Sequence, residues 1–450
     1  MTDLALPLDW QLDGAQFLAS RTQAFLADEP GVGKSGQAVR ACDLVGASDV
    51  LVLVPASVRV NWLNEFKKFS PFDRQGTAIF DGKTSPGAKG VTVCSYDLLS
   101  NKKLRASLLA RHWDVLILDE AHMLKSRTTS RTKAVYGRKL DGVSALMTVA
   151  KRTWRLSGTP APNFVDELWT HLRSAGLYLK NYYEFVDEFC SGFKSDYGFR
   201  ITGTKNAQRL RALLAPFMLR RKKADVLPKL PPIEFENHVV EPTAVDARAY
   251  FGMLREHDPV FLEELQQQNV QLKDAAHGGN LLDHLRSIAT SVGTLRRYIG
   301  LSKVPGYLDV VKPELKARRF DKLLIGAWHT DVIEALRVGL RDYGAITLFG
   351  GTPAEKRQHI LEKFKTNRAC RVLICQVKVG IGFNATAAYR VDLLEPSWVP
   401  AENKQFIDRA HRIGQDCTVT VRYFGCNRSV DADITKALAL KGRELAKVFD

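Results

Sequence analysis

Short apolar runs alternate with longer amphipathic stretches twice along this chain. VLVLV (50–54), VTVCSY (91–96), DVLIL (114–118) and TWRLS (153–157) are β-rich and bounded by turn or polar residues. Between them, stretches such as VRVNWLNEFKKF (58–69) carry helical spacing. Strands alternating with helices predict a parallel sheet covered on both faces. The rhythm returns after residue 320. There KLLIGAW, AITLF, CRVLIC, YRVDLL and VTVRYF read as strands, and DVIEALRVGL, AEKRQHILEKFK and AENKQFIDRAHRI as helices. LPKLPP (227–232) separates the halves, its three prolines breaking regular structure. Residues 243–300 read as mostly helical, with LEELQQQNVQ (262–271) as an exposed helix face. The expected fold is therefore α/β: two lobes, each a parallel sheet with helices on both faces, and a helical insertion between them. The boundaries fall at 1–232 for the first lobe, 233–302 for the insertion and linker, and 303–450 for the second lobe.

Charge adds a partner to this picture. The formal net charge is +16, which points to a polyanion. Residues 125–155 hold nine Lys or Arg against the single acid Asp141, and residues 194–223 hold nine against Asp196. Such local excess favours nucleic-acid contact over a merely solvated face. No stretch approaches eighteen apolar residues, so no membrane span is expected. The N-terminus, with Asp3, Asp9 and Asp13 and no long apolar run, does not read as a secretory signal. Seven cysteines without a C-x-x-C pair argue for reduced thiols in a cytoplasmic compartment and against a zinc site.

The chemistry begins at LADEPGVGKSGQA (26–38). It resembles a phosphate-binding loop, G-x-x-x-x-G-K-[ST], but Asp28 stands where the leading glycine belongs. Gly31 and Gly33 let backbone N–H groups approach phosphate closely. Lys34 would neutralise the β and γ phosphates, and the Ser35 hydroxyl would ligate magnesium. A second half of the site is WDVLILDEAH (113–122), an apolar strand ending in two carboxylates. Asp119 would hold magnesium and Glu120 would orient the attacking water. Alone, such a pair is as common at a helix start; with the loop it points to ATP hydrolysis. A guanine-reading N-K-x-D is missing, since NKQF (403–406) lacks the Asp. In QFIDRAHRIGQ (405–415), Arg409 and Arg412 are three apart, so a helix would set them on one face. From the second lobe they could reach ATP bound in the first and stabilise transition-state charge.

DEAH, SGTP (157–160) and DRAHRIGQ (408–415) together resemble superfamily two helicases, and within them the Swi/Snf-type double-stranded DNA translocases. In that group the loop looks like D-E-M-G-L-G-K-T, which accounts for Asp28 in DEPGVGKS. FMLRRKKADVLPKLPP (217–232) is similar to a segment the group carries after its first lobe. LPLDWQLDGAQFL resembles an adenine-sensing segment, placing Gln11 against the base, with Gln16 as the alternative. VGIGFNATAAYRVDLLEPSW resembles the coupling motif of the second lobe, and IGLSKVPGYLDVV and TAA lean toward the annealing-helicase, fork-remodelling branch. Pro30, Lys378 and Val399 depart from the group's pattern.

The resemblance implies two RecA-like lobes, with ATP and Mg2+ as cofactors. Gln11, Asp28, Gly31, Gly33, Lys34, Ser35 and Gln405 would bind nucleotide, and Ser35 and Asp119 would hold the metal, partly through water. Lys34, Asp119, Glu120, Arg409 and Arg412 would be catalytic. Ser57, Tyr96, Lys125, Thr159, Thr352 and Asn384 would touch DNA. The expected activity is ATP-dependent translocation on double-stranded DNA with remodelling of branched DNA. The alternatives are a strand-separating DNA or RNA helicase and an ATP-driven remover of DNA-bound protein. At 450 residues the expectation is close to a bare motor of bacterial or phage size, working as a monomer.

Overall fold

The alternation of side chains along β2 builds the first lobe. In DVLVLV (Asp49–Val54), Val50, Val52 and Val54 enter one buried cluster, while Leu51 and Leu53 enter another on the opposite face. The first cluster lies under helices Asp9–Ala19, Lys34–Leu44 and Arg59–Phe69, through Leu18, Val39, Cys42, Trp62 and Phe66. The second takes in Leu116, Leu118, Trp169 and Phe185. Both faces are apolar, as a parallel sheet requires.

The computed structural model describes residues 8–449 except 80, 82, 85, 88, 141–143, 196–197, 242–280, 351, 379–382 and 427–429. The strands of the first half are β1 (Gln23–Leu26), β2 (Asp49–Val54), β3 (Gly76–Ala78), β4 (Gly90–Ser95), β5 (Trp113–Asp119) and β6 (Ala150–Leu156). A separate hairpin, β7 (Cys190–Ser195) with β8 (Gly198–Thr204), and the short β9 (Met218–Leu219) follow. The sheet runs β3-β4-β2-β5-β6-β1-β9, with every pair parallel. In the second half, β10 (Ile233–Val239), β11 (Leu323–Ala327), β12 (Ile346–Leu348), β13 (Val372–Gln376), β14 (Arg390–Leu393) and β15 (Val419–Gly425) form a sheet in the order β10-β15-β14-β11-β13-β12, again parallel throughout. The expected two-lobed α/β architecture is present.

Three features differ from the sequence expectation. The segment assigned to a helical insertion opens instead with β10, which pairs along its length with β15 and so belongs to the second sheet. Residues 242–280 of that segment lie outside the described ones. The helix Leu281–Lys316 then runs past the expected boundary and packs Val304, Tyr307, Val311 and Leu315 into the second-lobe core. Arg422 clamps Asp392 through two bonds of 2.8 and 2.7 Å, and the Tyr307 hydroxyl donates to the same carboxylate at 2.8 Å. Finally, the helix Val430–Phe449 crosses back to the first lobe, where Leu445, Val448 and Phe449 join its core. None of the helices described is long and apolar enough to cross a membrane.

Candidate active site

The phosphate-binding loop leaves the carboxyl end of β1, the Asp119-Glu120 pair ends β5, and SGTP follows β6. These strands lie close together in the sheet, so their loops converge at one edge, where parallel sheets bind ligands. Gly31 and Gly33 have φ of 89° and 92°, a left-handed backbone that favours glycine. A Cβ on Gly33 would also run into the Gln11 amide. Gln11 is buried and its amide leans on Val32 O at 3.5 Å, whereas Gln16 is exposed. Gln11 is therefore the one seated against the loop. The Lys34 ammonium donates to the Asp28 and Glu29 carbonyls at 2.7 and 3.3 Å. Burial lowers its pKa, and Glu120, Asp28 and Asp119 oppose that shift.

Asp28 has a role other than the expected one. Its carboxylate does not face the phosphate cradle. It is fully buried and bound by Arg221 Nε at 3.0 Å, Arg221 Nη2 at 2.5 Å and Gln37 Nε2 at 3.1 Å. Arg221 also donates to Gln37 Oε1 at 2.7 Å. Asp28 thus ties the loop to the LRRKK segment, and Arg221 and Gln37 are structural residues of the site that spacing alone did not reveal. The signal available in the sequence was the FMLRRKKADVL box itself.

Asp119 accepts from Trp62 Nε1 at 2.7 Å and from the Glu120 N–H at 3.0 Å. Burial and then the Glu120 charge push its pKa up to about 7. Burial would also raise Glu120, but His122, Lys34 and Arg409 hold it down, to about 2. An acid destabilised beside a fixed carboxylate is a place where a divalent cation would be favoured. Among the described residues no three His, Cys, Asp or Glu side chains are grouped to hold a metal unaided. That donor set suits magnesium, which takes one or two carboxylates together with nucleotide oxygens. Ser35 and Asp119 are the residues that would hold it. Glu120 itself sits at φ 48°, a left-handed position uncommon outside glycine.

His122 Nδ1 lies 2.9 Å from Ser157 Oγ and 3.2 Å from Glu120 Oε2. Ser157 Oγ accepts the Thr159 N–H at 3.2 Å, and Gln405 Nε2 donates to Thr159 Oγ1 at 3.4 Å. A polar chain therefore runs from the acidic pair to the second lobe. Gln405, expected at the nucleotide, makes its contact here with Thr159.

The helix carrying QFIDRAHRIGQ ends at Ile407, so Arg409 and Arg412 do not share a helix face as expected. They stand on a turn knitted by its other residues. Gln415 Nε2 donates to the carbonyls of Thr386, Ala388 and Ala410, and Gly414 takes φ 94°. His411 Nε2 bonds Pro231 O at 2.7 Å. Lys223, buried, reaches across from the first half to the Asp408 carboxylate and to His411 O. What the turn presents is the arginines. Arg409 feels Glu120 more strongly than any other charge. Arg412 feels Glu65 most strongly, and its Cβ lies 3.1 Å from where a Cβ on Gly31 would stand. Arg412 therefore stands beside the phosphate loop of the first lobe, and the Arg409 guanidinium lies 5.5 Å from the Phe383 ring.

A family model described as the SNF2-related domain matches residues 10–294. The chain belongs to the SNF2-related family. A helicase conserved C-terminal domain matches residues 306–414, the core of the second lobe. Among its relatives, a Xenopus tropicalis "SWI/SNF-related matrix-associated actin-dependent regulator of chromatin subfamily A-like protein 1" is 28% identical, over 94% of this chain and 43% of that protein. The "DNA annealing helicase and endonuclease ZRANB3" of Mus musculus is 29% identical, over 94% of this chain and 39% of that one. The chain thus spans about two fifths of the length of these relatives. A solved "Sulfolobus solfataricus SWI2/SNF2 ATPase core in complex with dsDNA" is similar at 24% identity and a TM-score of 0.45, over 98% of this chain and 92% of that one.

Within this SNF2-related core the six expected DNA contacts separate. Tyr96 is buried, its hydroxyl donating to Asp119 O at 2.8 Å, so it supports the acidic pair and offers no surface to DNA. Thr159 is likewise buried, in the chain between the lobes. Burial corrects the expectation for Tyr96, whereas Thr159 still borders a cavity between the lobes. Lys125 is half-buried and paired with Glu167 at 2.5 Å. Thr352 is half-buried in a turn, its hydroxyl accepting from Phe349 N at 3.1 Å, and Asn384 is exposed. Ser57 lies in the short 3-10 helix Ala56–Val58. Lys378 is exposed, 5.7 Å from the Trp328 ring.

Proposed function

We propose that this protein is an ATP-dependent translocase on double-stranded DNA that remodels branched structures by branch migration, fork regression and strand annealing. The observation that carries the reading is that the DRAHRIGQ turn of the second lobe closes on the phosphate loop: Arg412 Cβ stands 3.1 Å from where a Cβ on Gly31 would lie, and Lys223 reaches over to Asp408. A site completed by the second lobe couples hydrolysis to lobe closure. Lys34 would bind the β and γ phosphates, Glu120 would orient the attacking water, and Arg409 would stabilise charge on the transferred group. Magnesium bound beside Ser35 and Asp119 would neutralise charge on the phosphate oxygens. One chain supplies both halves of this site, so a monomer suffices.

DNA as the track is supported by the family, by the net charge of +16 and by relatives whose names include an annealing helicase. Phosphate contacts suit stepping because they carry no sequence information. At a branch point, pulling exchanges base pairs, forming about as many as it breaks, so ATP would mainly supply direction.

The test is ATP turnover titrated with single-stranded, duplex and four-way-junction DNA. Duplex or branched DNA should stimulate more than single strands do. Strong stimulation by single-stranded DNA or RNA alone would replace this reading with a strand-separating helicase.

A further inference from the structure

Between the helices Tyr182–Phe189 and Ala207–Leu214 the chain forms the β7–β8 ribbon, which pairs with no third strand among the described residues. Its register sets Phe193 opposite Arg200 and Lys194 opposite Phe199. Directly opposed residues of an antiparallel pair project from the same face, and successive residues from opposite faces. Each face therefore carries one phenylalanine and one cation. Both phenylalanines are 42% exposed, and neither joins a core cluster. The Arg200 guanidinium lies 5.9 Å from the Phe193 ring.

The root of the ribbon is held firmly. Cys190 is buried, Lys205 N donates to Phe189 O at 2.9 Å, and the Asn206 amide donates to Glu188 O at 2.7 Å. The Thr204 N–H donates to Glu444 Oε2 at 2.7 Å, and its hydroxyl to Glu444 O at 3.3 Å. Glu444 belongs to the helix Val430–Phe449, which comes from the second lobe. The exposed end thus stands on a base that is tied to both lobes.

We infer that this ribbon is a nucleobase-binding element for branch points in DNA. Bases lose a stacking partner where two arms diverge, and one can stack on Phe193 and another on Phe199, on opposite faces. Arg200 and Lys194 then face the phosphates of the respective strands. Aromatic stacking accepts any base, so the contact needs no sequence preference. Charge selects nucleic acid over a protein partner: each exposed ring stands opposite a cation, Phe193 opposite Arg200 and Phe199 opposite Lys194. Two faces of the same kind, each a phenylalanine with a cation, also match two diverging strands better than one continuous partner surface. The inference rests on DNA being the track, as proposed above.

The test uses the full chain and its Phe193→Ala/Phe199→Ala variant. Binding is measured to a three-way junction carrying 2-aminopurine at the branch and to a linear duplex of the same length. Duplex-stimulated ATP turnover is followed alongside. The wild type should prefer the junction and change the branch fluorescence. The variant should lose roughly tenfold of that preference, as the loss of base stacking requires, and the fluorescence change with it. Its duplex-stimulated turnover should stay within about twofold, because the nucleotide site is untouched. Lys194→Ala/Arg200→Ala should reduce junction binding and its salt dependence together. Three results overturn the inference: no junction preference in the wild type, an unchanged preference in the phenylalanine variant, or an equal fall in duplex-stimulated turnover. The last two include the case in which the ribbon serves a protein partner or the fold. A wild type that prefers junctions through these rings, yet moves none with ATP, would refute the proposed remodelling and leave the ribbon's role standing.

Discussion

Asp28, Asp119 and Glu120 are three carboxylates within one site, and their neighbours give them different work. Asp28 is saturated by Arg221 and Gln37, so it shapes the loop. Arg221→Ala would leave that buried carboxylate without a counter-charge, and should cost about 3 kcal/mol or more of stability, read as a lower midpoint in denaturant. Glu120 is held low by His122, Lys34 and Arg409, which suits the water-orienting role proposed for it. Glu120→Gln should keep ATP binding and lose hydrolysis, while Lys34→Ala should lose turnover with phosphate neutralisation. Near-normal turnover in the Gln variant would remove Glu120 from its role. At this scale the sequence was legible where function needs adjacent residues: Gly31 to Ser35, and Asp119 with Glu120. It was less so for Tyr96 and Thr159, since burial is decided by packing from distant segments. Trp62 on Asp119 carried no sequence signal, because its partner lies in another element.

The DRAHRIGQ segment takes a shape that its spacing did not predict. Helical spacing continued through it, but Gln415 takes three backbone carbonyls, Gly414 turns left-handed, and Asp408 is claimed by Lys223. Side-chain bonds to the backbone offer an alternative to the helix, and here they prevail. The result sets Arg412 beside the loop, with Arg409 on the same turn. Arg409→Ala should leave ATP affinity within about tenfold and lower turnover by roughly 10³-fold, as a transition-state contact does. Arg412→Ala should have the smaller effect on turnover. Equal, DNA-stimulated activity in both variants would refute the cross-lobe assignment. Lys223, bonded to the Asp408 carboxylate and the His411 carbonyl, positions the turn. Lys223→Met should lower kcat by roughly 10- to 100-fold with KM for ATP little changed, and Lys223→Arg should recover part of it.

Across the whole molecule, two parallel sheets are joined by contacts that alternate between the lobes. Lys404 meets Glu29 at 3.2 Å, Lys441 meets Asn163 Oδ1 at 3.0 Å, and the helix Val430–Phe449 enters the first-lobe core. The α/β lobes were legible because continuous apolar runs such as DVLIL mark strands buried on both faces. β10 was missed because its alternation is weak: Glu234, Phe235, Glu236 and Asn237 are all exposed at the sheet edge. The hairpin and the returning C-terminal helix depend on partners far away in the chain. With its net charge of +16, the molecule should hold duplex DNA mainly through phosphates. Affinity should then fall by at least ~100-fold between about 50 and 200 mM salt, as counterion release requires. A flat salt profile would argue for base readout instead.

The most direct measurement follows a four-way junction and a long linear duplex in the same ATP-containing reaction, with Glu120→Gln as the control. The account predicts that the wild type exchanges the junction arms, leaves the linear duplex paired, and does neither without hydrolysis. Processive unwinding of the linear duplex, or junction movement by the Glu120→Gln protein, would contradict it.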